Sequence, residues 1–390
     1  MGFKGTNPPR RWDESAARAL PVVSGAAAAA GPGRVLSIDA LRGFDMFWII
    51  GGDALAQRLL ERLGPGWPAR VSRQFDHVAW DGFHFQDLIF PLFLFLVGCV
   101  LPFSLAKYRD RPGAVTWRIV RRTALLVFLG LVFNSLLSFQ WPIRVLGVLQ
   151  RIGICYGLAA AVYLATGVRG RAAVCAGLLV GWWAILALVP APGTTAGPFT
   201  PEGNISGWVD RTVLPGKILA QYYGHGDNEG LLSTLGALAT TLLGSLAGDW
   251  LRSGAGPWRK VAGLALAGGA CVALGWLWSP ALPVIKNIWT SSFVLVSGGW
   301  CLLLLAAFHA AVDVLGWKRW AFFFVVIGAN AITIYCLQRC VDFGGIAAFF
   351  CGGLAGLAGA WKAVVTAIGV LAVKWLLLLF LWRQRVFLRV

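Results

Sequence analysis

An all-α fold, a polytopic transmembrane helical bundle of about ten spans, follows from three features of the sequence. The chain is 58% hydrophobic and 13% charged, with a mean hydropathy of +0.70, whereas a soluble domain is about a quarter charged. Its apolar residues run in continuous blocks of roughly 18 to 25, the length a helix needs to cross about 30 Å of hydrocarbon. They lack the alternation of outer-membrane barrel strands. Lys and Arg gather in short connections between the blocks, which is the positive-inside pattern. The net charge of +17 therefore speaks for membrane orientation and against nucleic acid as a partner.

Residues 1–33, rich in Pro, Gly, Ala and Arg, read as a disordered cytoplasmic tail without a signal-peptide core. Residues 34–390 read as a single transmembrane domain, since no linker or fixed-period repeat divides them. Spans are expected near 35–55, 87–106, 118–138, 145–166, 172–190, 231–250, 261–278, 288–311, 320–338 and 363–383. Lys107, Arg109, Arg111, Arg118, Arg121 and Arg122 follow the second span, and Arg169 and Arg171 the fourth. Arg252, Arg259 and Lys260 follow the sixth, Lys318 and Arg319 the eighth, while Arg383, Arg385 and Arg389 end the chain. This pattern puts both termini in the cytoplasm.

The opposite side then carries 56–86, 191–230 and 341–362. The last of these, apolar but Gly-rich, reads as a re-entrant or interfacial hairpin or as half of an eleventh span. Small-residue pairs such as Gly153-xxx-Gly157 and Gly244-xxx-Gly248 allow close helix approach. Six of the eight cysteines fall inside apolar blocks, where a free thiol acts as a small hydrophobe. A bond between Cys340 and Cys351 stays open, and no Cys/His spacing suggests a metal.

Charged groups at membrane depth cost at least ~2.5–3.5 kcal/mol each, so they must face protein or water. Asp39, Arg42 and Asp45 are spaced by three on the first span, with Asp53 near its end. They form either a self-neutralised stripe or the wall of a substrate cavity. Gln150-Arg151 lies within the fourth span, where the guanidinium needs a carboxylate or an anionic ligand. On the outer side, His77 is crowded by Asp76, Trp80, Asp81, His84 and Asp87. An imidazole there can exchange protons near neutral pH, although Asp87 can equally serve as a helix cap. His309 reads as structural. Asp227 and Glu229 open the sixth span and suit its dipole. Lys286 and Asn287 open the eighth, with Ser291 and Ser292 behind them. The residues alone point to a polar, His-containing chamber on the outer half, with an arginine deeper in.

At these positions the sequence resembles the heparan-α-glucosaminide N-acetyltransferase family and its bacterial members. The resemblance rests on RVLSIDALRGFDMFWIIGGD (34–53), HVAWDGFHFQDLIFPLFLFLVG (77–98), RVLGVLQRIGICY (144–156), DNEGLLSTLGALATTLLG (227–244), KNIWTSSFVLVSGGW (286–300) and GANAIT (328–333). Each is weak alone; in order they cover most of the chain after residue 33. The resemblance implies transfer of acetyl from cytoplasmic acetyl-CoA, with no metal, to the amino group of a terminal glucosamine across a bacterial inner (cytoplasmic) membrane. It implies a catalytic His77 in H-x-x-W-[ND]-G, with Trp80, Asp81, Gly82 and Asp87 completing the motif. A family asparagine that assists the histidine falls on Asp53, a departure that exchanges a neutral donor for an acidic partner. The large luminal domain of animal members is expected to have no counterpart in residues 1–33. By the same analogy a homodimer and a lipid environment are expected.

His77 then acts as base toward the amine or carries the acetyl group transiently. Asn287, Ser291, Ser292 or backbone amides are candidates for the oxyanion, and Arg151 with the inner basic residues for the phosphates. The main rival is a transporter of a sugar or amino sugar, which calls for an internal repeat and broken helices; neither is evident in the sequence. A scaffold with self-paired charges needs no cluster from His77 to Asp87.

Overall fold

Every expected span is helical over all or most of its length in the computed structural model, which describes residues 35–64, 69–108, 110–111, 113–137, 141–218 and 224–387. The tail 1–33 and the basic residues Arg109 and Arg389 lie outside the described residues. Among the described residues there is no strand, only two isolated bridges, Asp81 with Ile285 and Arg144 with Gly216. Seven described helices are long and apolar enough to cross a membrane, and the protein is a multi-pass membrane protein.

The helices in chain order are α1 (Leu36–Phe47), α2 (Asp53–Leu63), α3 (Ile89–Leu105), α4 (Gly113–Leu131), α5 (Val148–Ala165), α6 (Val168–Leu188) and α7 (Ile205–Val213). They continue as α8 (Thr234–Arg252), α9 (Pro257–Trp278), α10 (Ser291–Phe308), α11 (Ala321–Ala329), α12 (Ala331–Leu337), α13 (Phe343–Leu357) and α14 (Lys362–Arg383). The seven apolar spans contain α3, α4, α5, α6, α9, α10 and α14.

The other three expected spans depart from that pattern for visible reasons. The first is interrupted at Trp48–Gly52, where Gly51 takes φ +131°, a conformation that side chains disfavour. The sixth, α8, buries Thr240, Thr241 and Ser245, whose hydroxyls bond carbonyls of their own helix. The ninth is split at Asn330 into α11 and α12. The segment 341–362 is not a hairpin: α13 is one 15-residue apolar helix packed on α14. All eight cysteines are free thiols.

Small residues set the tightest crossings. A Cβ on Gly244 or Gly98 would lie 1.9 Å from the Phe95 carbonyl or 1.8 Å from that of Thr241, so α3 and α8 meet backbone to backbone. Gly43 does the same for α1 against α11, where a Cβ would lie 1.7 Å from the Phe324 carbonyl. Helices α1, α3 and α5 wall one interior cavity, which α12 and loop residues including Lys286 and Trp289 complete.

Candidate functional site

The chain between Phe75 and Ile89 is too polar to enter the bilayer as helix and folds as a loop that ends in the tight turn Phe85–Leu88. Asp87 organises it. Its Oδ2 accepts the backbone N–H of His84 at 3.1 Å and of Val78 at 3.3 Å. Its Oδ1 meets His77 Nδ1 at 2.8 Å and Lys286 Nζ at 3.1 Å. The carboxylate is fully buried, so this set of donors is what holds its charge away from water. Asp87 is thus both the helix cap and the histidine's partner.

Lys286 comes from a second loop, 279–290, fastened to the first. Gly82 N–H donates to the Val284 carbonyl at 2.9 Å, Val284 N–H to Asp81 Oδ1 at 3.0 Å, and Asn287 Nδ2 to the Ala79 carbonyl at 3.3 Å. Trp80 anchors the first loop through Nε1 to the Phe199 carbonyl at 2.7 Å. Lys286 Nζ then stands 2.9 Å from His77 Nδ1. Burial holds its pKa below the usual lysine value, with Asp87 opposing that shift. Nδ1 has two neighbours and one proton position. Either Nδ1–H donates to Asp87 and Nε2 carries the lone pair, or Lys286 donates to Nδ1 and Nε2 carries the proton.

His77, Lys286, Asp53, Gln86, Asn228 and Glu229 line a cavity of about 290 Å³. Its walls are otherwise apolar: Met46 and Ile49 from α1 and its turn, Ile89, Phe90 and Phe93 from α3, Val148, Leu149 and Ile152 from α5. Trp289 and, from α12, Ile332 and Tyr335 complete it. Both helix interruptions serve this cavity, since Asp53 follows the first and Ile332 and Tyr335 the second. Lys374 of α14 steadies the first break by donating to the freed Ile50 carbonyl at 2.6 Å.

Behind Glu229 lies a second charge cluster. Arg144 contacts Asp227 at 2.5 Å and pairs with Glu229. Those partners raise the arginine's pKa against the effect of its own burial. Asp210 accepts the backbone N–H of Asp227 at 3.2 Å and of Leu231 at 2.9 Å. Burial lifts its carboxyl to about 6, with those amides pulling the other way. Arg151 donates to the Gly230 carbonyl at 2.9 Å and to Ser233 Oγ at 2.5 Å, with its guanidinium over the Trp289 ring.

The residues singled out from the sequence therefore separate into groups. His77, Asp53, Lys286 and Glu229 share the cavity, and Asp87 sits directly behind His77. The expected pairing of Asp53 with His77 is corrected: Asp53 accepts from Ala54 N–H at 2.7 Å and from Gln86 Nε2 at 3.4 Å. Beginning a helix after the broken turn, it is drawn to its own N-terminus and to Gln86. Trp80, Asp81 and Asn287 tie loops together. Ser291 and Ser292 donate to the Leu179 and Pro283 carbonyls at 2.6 and 2.9 Å, so neither hydroxyl proton is directed at the cavity. Gln150 and Arg151 lie outside the lining, and Asp227 belongs to the Arg144 clamp. Asp39 pairs with Arg42 far along α1, whereas both oxygens of Asp45 are buried without a hydrogen-bond partner. Sequence reasoning passed over Arg144, although it stands inside a quoted motif, and Gln86, whose only signal was its place beside Asp87. Trp289 was likewise passed over inside a quoted motif, and Tyr335 gave no signal beyond ordinary aromatic content.

Two curated proteins are similar to this chain in sequence. The heparan-alpha-glucosaminide N-acetyltransferase of Homo sapiens is 27% identical over 371 residues, covering 78% of this chain and 52% of its own length. That of Mus musculus is 25% identical over 321 residues, 67% of this chain and 48% of its own length. This chain is a distant relative of the heparan-α-glucosaminide N-acetyltransferases. It spans about half the length of these curated relatives. No family model matches it.

Proposed function

We propose that the protein is a membrane-embedded N-acetyltransferase that moves an acetyl group from acetyl-CoA to the amino group of a glucosamine-type sugar. The observation that carries this reading is the His77–Asp87–Lys286 contact at the wall of a largely apolar cavity, in a chain whose relatives bear that name. A cavity of about 290 Å³ suits the reacting ends of two substrates, not two whole substrates. The bulk of each then lies outside it, in keeping with delivery from opposite sides.

With Nδ1–H donated to Asp87, His77 presents an Nε2 lone pair. As base, it takes the proton that the acceptor amine loses as nitrogen attacks the thioester carbonyl, and the thiolate leaves. As nucleophile, Nε2 bonds the acetyl carbon while the thiolate leaves, and the amine then displaces the imidazole. Lys286, next to both groups, balances Asp87 in the first tautomer. For the donor's phosphates Arg42 and Arg122 suit better than Arg151. Both border a small pocket. Arg151, whose Nε and Nη1 are buried without partners just as the Nε atoms of Arg42 and Arg122 are, borders neither that pocket nor the larger cavity and is engaged with Gly230 and Ser233.

The proposed setting is a bacterial inner membrane crossed ten times, with both termini and the basic loops in the cytoplasm and His77 on the far face. The chain is proposed to work there as a single domain after residue 33, alone or as a homodimer. A specific observation favours one rival: both helix interruptions border the cavity, as in a transporter's binding site.

Purified protein, labelled acetyl-CoA and glucosamine separate the two readings. Wild type is expected to form N-acetylglucosamine and His77→Ala to lose that activity. Continued transfer by the variant would remove His77 from the mechanism. Sugar uptake into vesicles without any acetylation would establish the transporter instead. A 42-Da mass increase on His77 with acetyl-CoA alone, about the mass of one acetyl group less a proton, would select the nucleophilic route.

A further inference from the structure

Two cavities lie end to end along the same helices, and Phe93 is the side chain that lines both. Toward His77 is the cavity already described. On the other side of the ring is a pocket of about 50 Å³ bordered by Arg42, Val97, Ser104, Arg122 and Tyr156. The helices contribute in matching order. On α1, Arg42 serves the smaller pocket and Met46 the larger; on α5, Tyr156 serves the smaller and Ile152 the larger. From Gln86 to Ser104 this stripe runs about 27 Å at roughly 1.5 Å per residue, close to the thickness of the hydrocarbon.

The two ends differ chemically. One carries His77 and Lys286. The other carries two guanidinium groups, Arg42 paired through Nη2 with Asp39 and Arg122 over the Tyr156 ring, whose Nε atoms are buried and without a hydrogen-bond partner. A buried N–H donor lacking an acceptor is costly, and paired arginines suit a phosphate. Between them the lining residues on α3 and α5, Phe90, Phe93, Leu96, Val97 and Ile152, are apolar. A thin, flexible chain with an anionic head and a reactive tip fits such a passage. The Phe93 ring, itself 8% exposed, is common to the lining of both cavities.

We propose that Phe93 is a gate between the two half-passages, turning aside to admit an acyl-bearing arm anchored at Arg42 and Arg122, and closing once the arm leaves. This rests on the acyltransferase reading for its substrate, though not for its geometry. A ring flip on α3 is a local motion that leaves the helix crossings intact. The gate keeps the membrane sealed between turnovers, and the width it clears limits the acyl groups that pass.

Two measurements test it. In the first, wild type, Phe93→Leu and Phe93→Trp are compared with acetyl-CoA and with S-acetyl-N-acetylcysteamine, a short thioester without phosphate, added from the His77 face. Phe93→Trp is expected to slow transfer from acetyl-CoA about tenfold or more and transfer from the short donor, which reaches His77 without passing the ring, by a several-fold smaller factor. Phe93→Leu is expected to accept butyryl-CoA better than wild type does. Equal losses with both donors, or no loss with either, would overturn the gate.

If wild type uses neither donor, the acyltransferase reading falls and the second measurement still decides on Phe93. Val97→Cys, beyond the ring, is exposed in proteoliposomes to a membrane-impermeant maleimide from each face, and its peptide is read by mass spectrometry. Labelling is expected from the Arg122 face alone, and from both faces once Phe93→Ala is added. Labelling from both faces with Phe93 intact, or from the Arg122 face alone without it, would overturn the proposal.

Discussion

The His77 cluster and the Arg144 cluster use similar ingredients and reach opposite states. Each joins a half-buried cation from a loop to one or more buried carboxylates. Arg144 has two carboxylate partners, which outweigh its desolvation and raise its pKa, so its charge is locked. Lys286 has one, which it shares with His77; desolvation prevails and its pKa falls. A saturated cluster is a clamp. The one with a single carboxylate in contact with its cation borders the cavity with a histidine.

The sharpest way to break this contrast is to remove each centre in turn. His77→Ala is expected to lower N-acetyl transfer by about 10²–10⁴-fold with little change in thermal stability, measured by labelled-acetyl assay and by melting in detergent. Arg144→Ala should do the reverse in kind. Leaving Asp227 and Glu229 buried without their partner costs about 3–5 kcal/mol, seen as a lower melting temperature and reduced yield of folded protein. Equal loss of stability in both variants would mean that His77 also belongs to a clamp.

Lys286→Met keeps the packing and removes the shared cation. Transfer is expected to fall by about 10²-fold, with a changed pH–rate profile, whereas Lys286→Arg should move the profile's alkaline limb upward because a guanidinium does not lose its proton there. A profile unchanged in both would reduce Lys286 to a loop fastener. The smallest effect belongs to Asp210. Its folded pKa of about 6 exceeds the ordinary 3.8, so the folded state binds more protons in that interval. Its contribution is therefore full below the ordinary value and lost as pH rises through about 6. Asp210→Asn should flatten that decline in a melting series between pH 4 and 7; an unaltered slope would assign the titration elsewhere.

Much of the site was visible before folding was considered. His77, Asp87, Lys286 and Glu229 stand in short polar motifs against an apolar background, and polar residues there are expensive enough to be noticed. Interruptions at Gly51 and Asn330 were not visible, because hydropathy averages across a break without registering it. Nor was the partner of His77. Asp53 and Asp87 are both acidic and both adjacent to spans, and sequence distance alone gave no reason to prefer the one that caps its own turn.

Hydropathy and charge asymmetry are properties of consecutive residues, so the sequence by itself determined the helical membrane class, most of the span positions and the chemical character of the polar loops that carry the site. Tertiary structure decided the pairings. His77 meets Lys286 across 209 positions and Arg144 meets Asp227 across 83, distances over which no local pattern carries information. Hydrogen bonds depend on direction and on a few tenths of an ångström, which only the close crossings of α1, α3 and α8 and the fastened loops can set. The same packing sets one ring, Phe93, in the lining of two cavities, a relation that no reading of α3 alone contains.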